Sequence, residues 1–285
     1  AFQAPKNAAV HACSFPFSAK YHLPHGTACA LTLDHFMRFN APAMGKRGEQ
    51  VARDAADIIL LDDSFPSIVH AVKYGRTIFN NIRKFVIYLI SGNLGEILLV
   101  AVASFLGFPI PLLPLQILYL NTINDVFPAL ALCLLHEEKN IMEKPPRNPK
   151  EPIVNRRNWL DLVLFGFFLF AASFGTYLFA HLVLGFDRAL GNTTAFLTIA
   201  VSRLWHAFNM RERDTTLINN SIVKSRYIWW ALVICVVLIL AAVFLPGLNT
   251  FLGLSVLPPS GWIVVAIASF IPLIAGQILL QFGKK

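Results

Sequence analysis

The chain has 285 residues, 56% hydrophobic and only 14% charged, with a formal net charge of +8 and a mean hydropathy of +0.59. That balance excludes an ordinary water-soluble globular protein and predicts one that lives in a bilayer. Nucleic acid is not the partner that the basic excess implies, because the Lys and Arg residues are dispersed beside the ends of apolar runs and no binding module is visible.

Residues 1–43 are rich in His and small residues and are not membrane-like, so a seam is predicted near Ala43. The first 20 residues lack an unbroken apolar core after a basic start, and no signal peptide is expected there. Cys13, Cys29, Cys133 and Cys235 form no C-x-x-C pair, so neither a disulfide framework nor a zinc ribbon is predicted. Ile58 to Leu61 is a short apolar run bounded by acids and reads as a buried strand. Ser64 and Pro66 then supply helix-start chemistry. No proline follows until Pro109, which permits one continuous helix of about 40 residues and roughly 60 Å, a rod that spans membrane and stalk together.

Six runs are long enough to cross the hydrocarbon core, at about 85–107, 110–135, 159–184, 192–210, 228–247 and 261–282, the fourth being the least apolar. The predicted fold is therefore mainly α: a polytopic bundle of six transmembrane helices with a long stalk and a small, incomplete N-terminal soluble segment. Between runs two and three lie Lys139, Lys144, Arg147, Lys150, Arg156 and Arg157; between four and five lie Arg211, Arg213, Lys224 and Arg226; Lys284 and Lys285 follow the sixth. The alternate loops hold only Arg188. Lys and Arg accumulate on the cytoplasmic side of short loops, so a multi-pass protein with both termini cytoplasmic is expected.

Two adjacent runs carry acids and amides: Asn93 and Glu96 in the first, Asn121, Asn124 and Asp125 in the second. An ionisable group in a span costs a few kcal/mol, about 2.5–3.5 for Asp at mid-helix, so by default it faces a partner or an ion path. Positions three and four apart share a helical face, which makes each set converge. Pro109, Pro111, Pro114 and Pro128 interrupt the second run. Broken helices inside membranes are tolerated where freed carbonyls line a cavity or bind an ion. Carboxylate, amide and backbone oxygens suit Ca²⁺, Mg²⁺ or Mn²⁺ and serve Na⁺ or protons as well; the alternative is that these groups only join helices by hydrogen bonds. Arg203 in the fourth run cannot bind a metal cation. It either acts as a built-in counter-ion to Glu96 or Asp125, or snorkels toward the basic end of its span, which lies about six residues, roughly 9 Å, away.

From Met44, the stretch MGKRGEQVARDAADIILLDDSFPSIVHAVKYGRTIFNNIRKF, then NLGE, NTINDVFPALAL and IMEKPPRNPKEPI, resembles the end of the phosphorylation domain and the last six membrane helices of a P-type cation-pumping ATPase. The resemblance implies residues 44–65 as the end of that domain and 66–285 as stalk and transport domain. In the calcium-transporting subgroup it places Asn93, Glu96, Asn121, Asn124 and Asp125 at ion-binding positions, with Asn124 where Thr or Met is common and Arg203 where an acid or amide often stands. Residues 1–43, through His11, the LPHG containing His25, and TACALTLDHFMRFN, resemble the iron-containing alcohol dehydrogenase family. That resemblance implies His11 and His25 as alternative metal ligands, the family's two metal-binding histidines; two imidazoles seldom hold a catalytic transition metal, for which three protein ligands are usual, so the competing expectation is that both lie on the surface or half buried.

The family's phosphorylated DKTGT, its TGE and its GDGxNDxPAL do not occur in this sequence. The expectation is thus a severed or fused transport domain with no cofactor of its own, ATP and Mg²⁺ belonging to the complete family. The partners expected are the bilayer, one transported cation (Ca²⁺, Mn²⁺, Mg²⁺, Na⁺ or H⁺) and a chain supplying the missing domains. The alternatives are an ATP-independent membrane module that binds ions or partners, and a non-functional fusion with a dehydrogenase fragment.

Overall fold

The computed structural model describes residues 65–136, 141–146, 148, 151–213, 215–216 and 218–282. The strand expected at Ile58 to Leu61, the segment 1–43, and His11 and His25 lie outside the described residues. The chain divides into two compact units, Ala1–Ile68 and Val69–Lys285, and the second is the helical bundle.

Among the described residues every regular element is helical. Helix α1, Phe65–Phe105, runs 41 residues without a break, as the proline-free stretch predicts. Gly107 ends it with a left-handed φ of 74°, and Phe108 N–H donates back to Ala103 O at 2.9 Å, the glycine-dependent closure that satisfies the last carbonyls of a helix. The next run is three pieces: α2 (Pro114–Leu120), a π-helical stretch (Asn121–Asp125) and α3 (Val126–Cys133). Helix α4, Arg156–Leu182, starts at Asn155, whose Oδ1 accepts from Asn158 N at 2.9 Å. Helix α5, Arg188–His206, starts at Asp187, whose Oδ1 accepts from Leu190 N at 2.9 Å, and tightens into a 3₁₀ turn at Ala207–Met210. Then follow α6 (Ser221–Lys224), α7 (Arg226–Phe244), α8 (Leu248–Leu252), α9 (Pro259–Ala268) and α10 (Ile271–Phe282).

Among the described residues four stretches are long and apolar enough, by length and composition, to cross a membrane: Pro66–Phe105, Arg156–Leu182, Arg226–Phe244 and Pro259–Gln281, the last comprising α9 and most of α10, so the expected count of six is not confirmed. Two of the six expected spans differ for physical reasons. The run at 110–135 is cut by its π-helical stretch, leaving no single long helix. Helix α5 has 19 residues but carries Asn192, Thr193, Thr194, Thr198, Ser202, Arg203 and His206, all buried. It is surrounded by α4, α7, α9 and α10, so its side chains meet protein instead of lipid and need not be apolar.

Close packing and polar clasps hold α1 in place. A methyl group added at Gly166 of α4 would sit 2.9 Å from Leu94 of α1, so the two helices touch through a residue without a side chain, the usual solution where lipid gives no hydrophobic drive. Arg76 donates to Ile141 O and Lys144 O at 3.0 and 2.8 Å. Asn81 donates to Cys133 O and Leu135 O at 3.2 and 2.9 Å, and Arg83 to Ile153 O at 2.8 Å. At the opposite end, buried Gln116 donates to Asn192 Oδ1 and Leu252 O at 2.6 and 2.9 Å.

Candidate cation site

The site begins with what Pro128 does to its own helix. Proline has no N–H to offer the carbonyl four residues back, here that of Asn124. The Tyr88 hydroxyl of α1 takes that role, donating to Asn124 O at 3.0 Å. Just before it the backbone widens into the π-helical turn Asn121–Asp125, a rare geometry that is frequent at functional sites. Tyr88 Oη also lies 3.3 Å from Arg203 O, so one hydroxyl ties α1, the π turn and α5 together.

Arg203 is fully buried. Its guanidinium pairs with Glu96 of α1 through Nη1 and with Asp125 of the π turn through Nη2, and Nη2 lies 3.5 Å from Asn93 Oδ1. The side chain does not run back to the basic end of its helix. Gly92 makes the approach feasible: a Cβ there would stand 2.6 Å from Nη2, so the guanidinium lies flat against bare α1 backbone. Asn124 Nδ2 donates to Ala200 O at 2.8 Å, which fixes the amide and leaves its Oδ1 as the buried atom without a partner. Asn121 Oδ1 is likewise buried and unpaired. Buried acceptors rarely go unsatisfied in proteins, and each asks for an explanation.

The structure thus brings Asn93, Glu96 and Asp125 onto one guanidinium and sets Asn124 beside it. Asn121 stands on the same π turn without a hydrogen bond to the group. Chemically this is a hard-oxygen cluster already holding one positive charge. Among the described residues no group of three or more His, Cys, Asp or Glu side chains is placed to hold a metal ion; the oxygens gathered here come from two carboxylates and three amides.

The family described as "Cation transporting ATPase, C-terminus" matches residues 109–282. The chain belongs to the cation-transporting ATPases. It is 34% identical over 241 residues to the "Calcium-transporting ATPase" of Bacillus subtilis, covering 84% of this chain and 27% of that protein. To "Calcium-transporting ATPase 1" of Bacillus cereus it is 34% identical over 257 residues, 85% of this chain and 29% of the other. To "Calcium-transporting ATPase 1" of Lactococcus lactis subsp. lactis it is 33% identical over 239 residues, 83% and 26%. The chain therefore spans between a quarter and a third of the length of these relatives. Residues 1–64 match "Fe-containing alcohol dehydrogenase family, C-terminal", a similarity that runs past the seam expected at Ala43.

Several residues of this ATPase cluster escaped sequence reasoning. Tyr88 and Gly92 look like ordinary span residues, and nothing local in the sequence shows that Gly92 faces a buried arginine of another helix. Ser91 and His206 form a second polar layer one turn toward the basic end, with Oγ and Nε2 2.8 Å apart. His206 Nδ1 lies 3.3 Å from Asn209 Nδ2, and Asn209 Oδ1 accepts from Gln277 of α10 at 2.9 Å. The available signal was α5 itself, whose polar residues recur at 194, 198, 202 and 206, a four-residue repeat that marks one helical face.

Proposed function

We propose that the chain is the ion-transport domain of an ATP-driven cation pump, with Asn93, Glu96, Asn121, Asn124 and Asp125 as its cation site and Arg203 as a resident counter-ion. What carries the reading is the convergence of Glu96 and Asp125, from separate helices, on the one buried guanidinium. Two unpaired amide oxygens, Asn121 Oδ1 and Asn124 Oδ1, support it as places for a cation to bind. One guanidinium neutralises one of the two carboxylates, so the cluster accommodates a further positive charge. That charge is a transported metal ion, or a proton when the metal leaves. The names of the relatives favour Ca²⁺, and oxygen donors of this kind suit it.

In this reading the bilayer surrounds the bundle, with the basic end and both termini cytoplasmic. ATP hydrolysis with Mg²⁺ belongs to domains like those of the longer relatives, in the same polypeptide or another. The residues here bind and release the cation while α1 conveys movement from the hydrolysing domains.

Calorimetric titration of the purified chain with Ca²⁺ tests the site. One ion per chain is expected, with a higher stoichiometry for Arg203→Gln. Two ions per wild-type chain would rule out the counter-ion role. No binding by either protein would remove the cation site itself.

A further inference from the structure

A cavity of about 280 Å³ with mixed polar and apolar walls opens at the basic end of the bundle, apart from the cation cluster, walled by α1, α4, the segment just after α5 and α10. Its lining includes five Lys and Arg side chains against two acids, Asp161 and Glu212. Two buried polar atoms on its walls have no partner in the protein. One is an acceptor, Glu212 Oε2, and the other a donor, Asn158 Nδ2. The Glu212 side chain is only 9% exposed, and its other oxygen is fully engaged by Lys84 Nζ at 2.5 Å and Ser221 Oγ at 2.6 Å.

An acceptor and a donor left open in one positively charged hollow call for a ligand that carries both an N–H cation and an anionic oxygen. The level in the membrane identifies its source. Trp159 near the start of α4 and Tyr227, Trp229 and Trp230 at the start of α7 are exposed at this same end, and such a belt of Trp and Tyr marks the depth of lipid headgroups. Lys and Arg at that depth attract lipid phosphate.

We propose that this cavity binds the headgroup of a phospholipid bearing a primary amine. Its phosphate lies against the basic wall and the Asn158 amide, and its ammonium donates to Glu212 Oε2. The headgroup joins the α5–α6 connection, through Glu212, to the first turn of α4, through Asn158. It leaves the Lys84–Glu212 pair intact because it uses the opposite oxygen.

Binding of short-chain phosphatidylethanolamine, phosphatidylcholine and phosphatidylglycerol to the purified full chain tests this, read by native mass spectrometry with inorganic phosphate as competitor. The ethanolamine lipid is expected to bind about tenfold more tightly than the choline lipid, the ratio that one hydrogen bond to a charged group provides. Glu212→Gln should erase that preference. Asn158→Ala, which removes a side-chain nitrogen with no partner in the fold and so should leave folding intact, should weaken both lipids. Equal binding of all three lipids, strongest binding of the glycerol lipid, or an ethanolamine preference unchanged in both variants overturns the proposal. Full displacement by millimolar inorganic phosphate overturns the lipid source.

Discussion

The guanidinium of Arg203 rests on the backbone of α1 at Gly92, where even a methyl group would come within 2.6 Å of Nη2. Small-to-large changes in close-packed interiors cost about 1–3 kcal/mol, and here the strain falls on the group that pairs with both Glu96 and Asp125. Gly92→Ala should therefore lower the melting temperature. It should also shift Ca²⁺ stoichiometry in the same direction as Arg203→Gln, because both loosen the guanidinium from its acids. Paired thermal melts and calorimetric titrations check this, and a stability loss with unchanged cation binding would separate the two effects.

Arg203→Leu differs from Arg203→Gln in leaving both acids without a hydrogen-bonding partner. Breaking a buried pair by removing one partner costs about 3–5 kcal/mol. The expected result is a chain much less stable in detergent than either wild type or Arg203→Gln, recovered in part by the triple change Arg203→Leu, Glu96→Gln and Asp125→Asn. Chemical denaturation monitored by tryptophan fluorescence measures the series.

Tyr88 and Pro128 are coupled through a carbonyl that neither owns. Tyr88→Phe strands Asn124 O, a buried acceptor, at a cost of about 1–3 kcal/mol. Pro128→Ala returns an N–H four residues on, able to bond that carbonyl in an α-helix. The double variant should consequently be less destabilised than the sum of the single ones, by roughly 0.5–3 kcal/mol. A double-mutant cycle that gave strict additivity would dissociate the proline from the tyrosine bond.

Outside the membrane-spanning segments, Glu212 offers a pH test. Burial raises its pKa, but the Lys84 ammonium and the Ser221 hydroxyl outweigh that and hold the carboxyl below the ordinary glutamate range. A carboxylate with a lowered folded pKa contributes stability that is present above its unfolded value, about 4.3, and is lost as pH falls through the folded value. The wild-type chain should lose melting temperature below that pH more steeply than Glu212→Gln, while the two should run parallel between pH 6 and 8.

Much of this architecture was legible in the residues alone. The unbroken helix of 41 residues follows from the absence of proline between Pro66 and Pro109, and the acids of two neighbouring segments do meet. Hydropathy failed where its premise did. It treats a helix as facing lipid, whereas α5 is buried in protein throughout residues 191–200 and carries Thr198, Ser202, Arg203 and His206 in the interior. The prolines signalled a broken second segment, but not the kind of break, a π turn at Asn121–Asp125 whose Asn124 carbonyl accepts from Tyr88 of another helix. Gly92 was invisible for the same reason, since its meaning lies in an arginine 111 positions later.

Helix α1 is cleated on two flanks over residues 76–83. Arg76, Asn81 and Arg83 grip main-chain oxygens from Cys133 to Ile153, while Asn93 and Glu96 sit farther along the same shaft. Torque applied at the Arg76 end cannot dissipate in a joint, because the shaft has none. A rotation imposed there would reach Glu96 through one unbroken helix, and the carbonyls of Cys133, Leu135, Ile141, Lys144 and Ile153 are tied to that same helix.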